Sequence, residues 1–324
     1  MNASPRTLPG DDRHRVAVLI PCLNEAAGIA EVVASFRAAL PDARIYVYDN
    51  ASTDETSGVA AQAGAVVRRE PMRGKGNVVR RMFADVDADV YVLVDGDGTY
   101  DAASAPAMVE LLNAQQLDMV CGKRIESDQL AYRQGHRLGN RVLTGLVATL
   151  FGDRVTDILS GYRVMSRRFV KSFPALSKGF ETETELTVHA LDLRVPIAEV
   201  ATPYGARSAG TVSKLNTWRD GWRILRTIAR LVKEERPFAF FVSIGCVLAL
   251  TAVALAVPVL LEFLETGLVP RIPTAVLSTG LMLVAVMSFV CGLILDTVTR
   301  GRRELKRMHY LLHAHSRDAG RNVP

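Results

Sequence analysis

Two long stretches toward the end of the chain, Phe238 to Leu261 and Ile272 to Leu295, contain no Asp, Glu, Lys or Arg. Each exceeds the roughly 20 residues that carry an α-helix across the hydrocarbon core of a bilayer. Core helices of water-soluble domains seldom stay apolar on every face for so long, so the pattern predicts two membrane spans. Charge sets their direction. Arg226, Arg230, Lys233 and Arg236 precede the first span and Arg300, Arg302, Arg303, Lys306 and Arg307 follow the second, whereas the connection from Glu262 to Arg271 carries Arg271 as its sole basic residue. By the positive-inside rule the spans form a hairpin with both chain ends on the cytoplasmic side.

The segment Met1 to His14 is polar, charged and Pro-containing, so no signal peptide is expected. The predicted location is therefore the cytoplasmic (inner) membrane, multi-pass, with the large domain in the cytosol. Cys22, Cys121, Cys246 and Cys291 lie far apart and offer neither a disulfide framework nor a zinc site. A formal charge of +5 suits anionic partners. Because much of the basic excess clusters beside the spans, membrane contact accounts for it and nucleic acid is not expected. The chain divides into a leader (1–14), a folded domain (15–215), an amphipathic helix (216–236), the hairpin (237–296) and a basic cytoplasmic tail (297–324). In the amphipathic segment Trp218, Trp222, Leu225, Ile228, Ala229 and Val232 recur at helical spacing against Arg219, Arg223, Arg226, Arg230 and Lys233. Such a two-sided helix beside a span is expected in the headgroup region, the alternative being a domain helix whose apolar stripe packs on the sheet.

The folded domain alternates. Arg15–Ile20, Arg44–Tyr48, Ala65–Arg68, Val90–Val94 and Asp118–Cys121 read as strands, and Glu25–Leu40, Asp54–Gly64, Gly76–Val86 and Ala105–Gln115 as helices. This is an α/β pattern, a mostly parallel sheet flanked by helices on both faces. Ligands in such sheets bind where strands end at their carboxyl edge, and the polar motifs fall there.

Pro21-Cys22-Leu23-Asn24-Glu25 follows the first strand; Glu25 either favours the helix N-terminus or accepts hydrogen bonds from a ribose or base. Asp49-Asn50-Ala51-Ser52-Thr53-Asp54-Glu55-Thr56 follows the second, where Ser52 or Thr53 reads as an N-cap and Asp49 as an acceptor for a nucleobase edge. Arg73-Gly74-Lys75-Gly76-Asn77 opens a helix and suits a diphosphate. Asp95-Gly96-Asp97-Gly98 follows the VYVLV strand, and two carboxylates one residue apart can share a Mg²⁺ or Mn²⁺ ion that bridges a diphosphate. A calcium loop of the EF-hand kind is excluded, since Tyr100 and Pro106 stand where Gly and Glu are required. Farther on lie Asp157-Ile158-Leu159-Ser160-Gly161-Tyr162-Arg163, an acidic run at Glu181, Glu183 and Glu185 that also reads as a solvated helix start, and Arg207-Ser208-Ala209-Gly210-Thr211-Val212-Ser213-Lys214.

Taken in order, these motifs resemble the family 2 glycosyltransferases with the Rossmann-like GT-A fold, and within them the polyprenyl-phosphate branch that includes dolichol-phosphate mannose synthases. The resemblance runs from about Val16 to Leu215, and the paired spans match members with a membrane hairpin. It implies that Pro21, Asn24, Glu25, Asp49, Ser52, Asp54, Lys75 and Asp95 hold the nucleotide sugar, and that Asp95 and Asp97 hold the metal. It places Arg124, Arg141, Ser160, Arg163, Arg207 and Lys214 at the acceptor phosphate or donor diphosphate, with Asp97, Arg124 and Arg163 as catalytic candidates. Where several relatives carry Gln two places beyond the DxD pair this chain has Thr99, which leaves the third protein ligand open. The Gln-x-x-Arg-Trp signature of processive synthases is absent.

The expected activity is inverting transfer of a hexose or aminosugar from a UDP- or GDP-linked donor to a polyprenyl phosphate. That nucleophile is already ionised at neutral pH and needs no side-chain base. Transfer to a neutral lipid or a protein hydroxyl is the alternative, and would need a base, for which Glu183 and Asp157 are the candidates. A non-catalytic membrane scaffold is the alternative of another class. Oligomeric state is open, a homo-oligomer included.

Overall fold

A computed structural model of the protein describes residues 14–126, 145, 156–177, 179, 181–205, 233–234 and 236–313. The chain divides into two compact units, one of residues 1–218 with 306–324 and one of residues 219–305. The first contains seven strands: β1 (His14–Cys22), β2 (Arg44–Asp49), β3 (Val66–Arg69), β4 (Ala88–Leu93), β5 (Met119–Glu126), β6 (Arg163–Ser166) and β7 (Ile197–Tyr204). Its helices are α1 (Ile29–Ala39), α2 (Thr56–Gln62), α3 (Lys75–Asp85), α4 (Ala105–Ala114), α5 (Arg167–Ser172) and α6 (Thr182–Leu193).

The strands form one sheet in the order β3-β2-β1-β4-β6-β5-β7. The pairs β1 with β2, β1 with β4, β2 with β3 and β5 with β7 are parallel, and β6 alone runs against its neighbours β4 and β5. Alternation along β1 explains its apolar run, because Val18 and Ile20 pack under α1 and α4 while Ala17 and Leu19 pack under α3, α5 and α6. A strand covered on both faces has no polar side to show. On α1, Ile29, Val32, Val33 and Phe36 form the buried stripe, as their spacing predicts.

In α6, His189 is 2% exposed and lies between Phe169 and Phe173, with ring centroids at 5.3 and 5.4 Å. Burial, with the charge of Lys306 adding to it, pushes its pKa down to about 3. The unfolded chain takes up this proton near pH 6.5, so the stability contributed by the neutral ring is complete above that pH. It is lost at about 1.4 kcal/mol per pH unit as pH falls toward the folded value. Chemical unfolding of the detergent-solubilised protein is therefore expected to lose about 2 kcal/mol between pH 7 and pH 5. A His189→Leu variant should show a flatter profile over that window; an unchanged profile would exclude His189 as its source.

The same unit includes the end of the last helix, α8 (Ile272–Leu311). Asp118, fully buried, accepts hydrogen bonds from Ser166 Oγ at 2.7 Å, Arg168 Nη2 at 2.8 Å and Tyr310 Oη at 2.7 Å. Lys306 donates to Asp192 at 3.1 Å.

The second unit holds α7 (Pro237–Thr266) and most of α8 (Ile272–Leu311), both long and apolar enough to cross a membrane. The second helix continues through the basic segment that reads as a tail in the sequence. Residues buried along the pair are mostly small and seven apart: Gly245, Ala252 and Val259 on α7 and Ser278, Ala285, Gly292 and Thr299 on α8. A Cβ on Gly292 would stand 3.2 Å from Phe241 Cβ. Small residues at the contact and apolar side chains elsewhere are what a helix pair surrounded by lipid needs.

Candidate functional site

The loops leaving β1 and β2 are stitched together at the carboxyl edge of the sheet. The Asn24 amide donates to Ser52 Oγ at 2.9 Å, the Thr53 amide to Asn24 Oδ1 at 2.8 Å, the Glu25 amide to Thr56 Oγ1 at 2.9 Å and the Ala26 amide to Asp54 Oδ2 at 3.2 Å. Asn24, Ser52 and Asp54 thus build the frame of one crevice, and Pro21 stands beside it in β1 opposite Tyr48. Asp49 closes its floor. Burial raises its pKa, but hydrogen bonds from the Ser52 amide and Ser57 hydroxyl, with Arg69 at 3.6 Å, outweigh that and hold the carboxyl below its ordinary range.

Asn50 was not singled out from the sequence, yet it ties the RGKGN loop to this crevice. Its Nδ2 donates to the Glu70 and Met72 carbonyls at 3.0 and 2.7 Å, and its Oδ1 accepts from the Gly74 amide at 2.7 Å. The only hint available earlier was its place directly after Asp49 at a strand end.

The DGDG loop follows β4 into the same edge. At Gly96 a Cβ would fall 2.5 Å from Cys22 Sγ at the end of β1, so any larger residue would have to push the thiol aside. Asp97 Oδ1 accepts from the Thr99 hydroxyl at 2.7 Å and amide at 3.2 Å; Thr99, 3% exposed, orients Asp97. The Lys75 ammonium pairs with both Asp95 and Glu183. Burial raises the pKa of the Cys22 thiol, and the negative charges of Glu25, Asp95, Asp49 and Asp97 raise it further.

Such a concentration of negative charge fits a hard cation. Among the described residues no group of three His, Cys, Asp or Glu side chains closes a metal cage. Asp95 and Asp97 instead offer the two-carboxylate set with which Mg²⁺-type sites work, the remaining positions going to substrate phosphate and water.

The Asp157–Arg163 segment reaches the DGDG loop through Gly161. Its amide donates to Tyr100 Oη at 2.8 Å, and a Cβ there would stand 2.6 Å from Asp95 Oδ2. Gly161→Ala is expected to push Asp95 aside and lower turnover by about 10²-fold, the cost of misplacing a site group by about 1 Å. A steady-state assay beside a melting curve checks this, and unchanged turnover would show that Asp95 needs no such exact seat.

Three candidate residues of this segment are engaged within the fold. Arg163 is fully buried and donates to the Ser160 carbonyl at 3.1 Å, the Ile158 carbonyl at 2.8 Å and Thr187 Oγ1 at 2.8 Å; it braces the loop. Ser160, equally buried, donates to the Gly122 carbonyl at 2.6 Å. Asp157 is not poised as a base, because it clamps Arg124 with two bonds of 2.8 and 2.7 Å. Burial raises its pKa, but the Arg124 hydrogen bonds and charge win and hold it below the carboxylate range. The Arg124 guanidinium lies 5.5 Å from the Tyr204 ring centre. Glu183 is 4% exposed, so the acidic run is no solvated helix start. Arg141, Arg207, Lys214 and the amphipathic segment up to Val232 lie outside the described residues.

The profile of the family described as glycosyl transferase family 2 matches residues 17–173. Glycosyltransferase AglJ of Haloferax volcanii is 33% identical over 299 residues, covering 91% of this chain and 98% of that one. A dolichol-phosphate mannosyltransferase of Pyrococcus furiosus is 26% identical over 239 residues, covering 68% and 64%. Among solved structures, glucosyl-3-phosphoglycerate synthase from Mycobacterium tuberculosis in complex with Mn²⁺, UDP and glucosyl-3-phosphoglycerate superposes with a TM-score of 0.55 at 27% identity, over 68% of this chain and 79% of that one. The family match and a glycosyltransferase relative matched along nearly its whole length together place this chain in glycosyl transferase family 2.

Proposed function

We propose that the protein transfers a hexose or aminosugar from a UDP- or GDP-linked donor to a polyprenyl phosphate at the cytoplasmic membrane face, with inversion at the anomeric carbon. The likeness to a dolichol-phosphate mannosyltransferase and two helices long and apolar enough to cross a membrane support a lipid acceptor. Basic residues flanking those helices support a cytoplasmic catalytic domain.

In this reading Asp49 and Glu25 hold the nucleoside and Lys75 and Asp95 face the diphosphate. Asp95 and Asp97 would hold a divalent ion, which would supply neutralisation of the charge on the departing nucleoside diphosphate. The acceptor phosphate oxygen forms the new bond to the anomeric carbon as the bond to the donor diphosphate breaks, its electron pair leaving with the diphosphate. Arginine suits the phosphate through its planar fork, and Arg124, Arg141 and Arg207 are the arginines proposed for it, with Lys214. The observation that carries a phosphate acceptor is the engagement of both candidate bases, Asp157 by Arg124 and Glu183 by Lys75. An ionised nucleophile requires neither.

Purified protein incubated with labelled UDP- and GDP-sugars, polyprenyl phosphate and diacylglycerol tests this directly. Label is expected in the polyprenyl phosphate fraction alone. Label appearing only in diacylglycerol or on protein would overturn the acceptor assignment, and absence of transfer from every donor would favour a scaffold.

A further inference from the structure

Lys75 is the first residue of α3 and Glu183 lies in the first turn of α6. The two helix starts are packed without a gap at Gly76, where a Cβ would fall 2.1 Å from the Ser177 carbonyl oxygen and 2.9 Å from Thr182 Oγ1. This packing brings the Lys75 ammonium between Asp95 Oδ1 and Glu183 Oε1. The Lys75 and Glu183 side chains are 10% and 6% exposed, whereas that of Asp95 is 31% exposed and forms the open end of the pair. The second Glu183 oxygen, Oε2, is buried and has no hydrogen-bond partner among the described residues.

A carboxylate left half satisfied away from water is costly. One ammonium shared by two carboxylates also leaves the pocket negative. Both defects are relieved together if a dication takes Asp95 and the ammonium moves fully onto Glu183, where two oxygens receive it. We infer that Lys75 is an exchangeable cation, seated on Asp95 until a divalent ion displaces it, and that Glu183 is the positioning residue that receives it. This rests on the metal reading proposed above. Lys75 then competes with the metal, and Glu183 affects metal affinity only through Lys75.

The test is a Mn²⁺ titration of the detergent-purified full chain, reading free Mn²⁺ by electron paramagnetic resonance, without nucleotide and with UDP or GDP. Without nucleotide, Lys75→Met is expected to bind Mn²⁺ about tenfold tighter than wild type and Glu183→Gln about tenfold weaker, the order of effect of one neighbouring charge. In the double variant, Glu183→Gln should add nothing to Lys75→Met, the coupling expected of residues that act as a unit. Unchanged or weaker binding by Lys75→Met overturns the exchange, and so does an equal loss from Glu183→Gln in both backgrounds, which is what plain electrostatics gives. Should Lys75→Met fail to fold, unchanged binding by Glu183→Gln alone overturns it. Wild-type protein that takes up no Mn²⁺ with either nucleotide removes the metal reading itself, a result distinct from wild-type binding that Lys75 does not influence.

Discussion

Asp97→Asn is expected to lower sugar transfer by about 10²- to 10³-fold, the range seen when one electrostatic contact to a developing charge is removed. Asparagine keeps the shape of the side chain and retains an oxygen to accept from Thr99, which binds Asp97 Oδ1 at 2.7 Å through its hydroxyl. The loop should therefore hold its course. What changes is one of two formal charges available to a cation at the end of β4. The decisive comparison is turnover against melting temperature: a large loss of rate with a melting point within a few degrees of wild type assigns Asp97 to chemistry. Retained turnover would remove the metal from the mechanism.

Arg163→Met is expected to act in the opposite way, destabilising the catalytic unit by about 3–5 kcal/mol, the range for breaking a buried charged network. The guanidinium holds two carbonyls and the Thr187 hydroxyl, and methionine leaves all three without a donor in a site closed to water. A fall in melting temperature of about 10 °C follows for a domain of this size. Arg163→Lys should recover little, since one ammonium cannot span the same fork of acceptors. A variant with normal stability and lost transfer would return Arg163 to the acceptor site.

These two residues show what the chain's letters reveal and what they do not. The place of Asp97 at a strand end was legible because a four-residue motif sits directly after an apolar run, and β4 ends at Leu93, one residue before the end of that run. Strands β1, β2 and β4 were legible for the same reason, being runs without a polar face. The four-residue β6 was not, because nothing local marks so short a strand and its reversed direction is imposed by β4 and β5 on either side. Arg163 resembled a phosphate ligand as a letter beside SGY. Its burial depends on α6, distant in the chain, whose Thr187 hydroxyl accepts from it. Glu183 looked solvated in a run of acids until the packing at Gly76 carried it to Lys75.

The amino-acid order by itself determined the alternating α/β domain, the two apolar helices and the strand ends at which the acidic motifs stand, because each depends on periodicity and length within a single element. Only the tertiary structure decided which charges face the cleft and which brace it. Pairings such as Arg168 with Asp118, Lys75 with Glu183 and Gly161 against Asp95 join segments far apart in the chain, and burial settles whether a charge is spent inside the protein or left for a ligand.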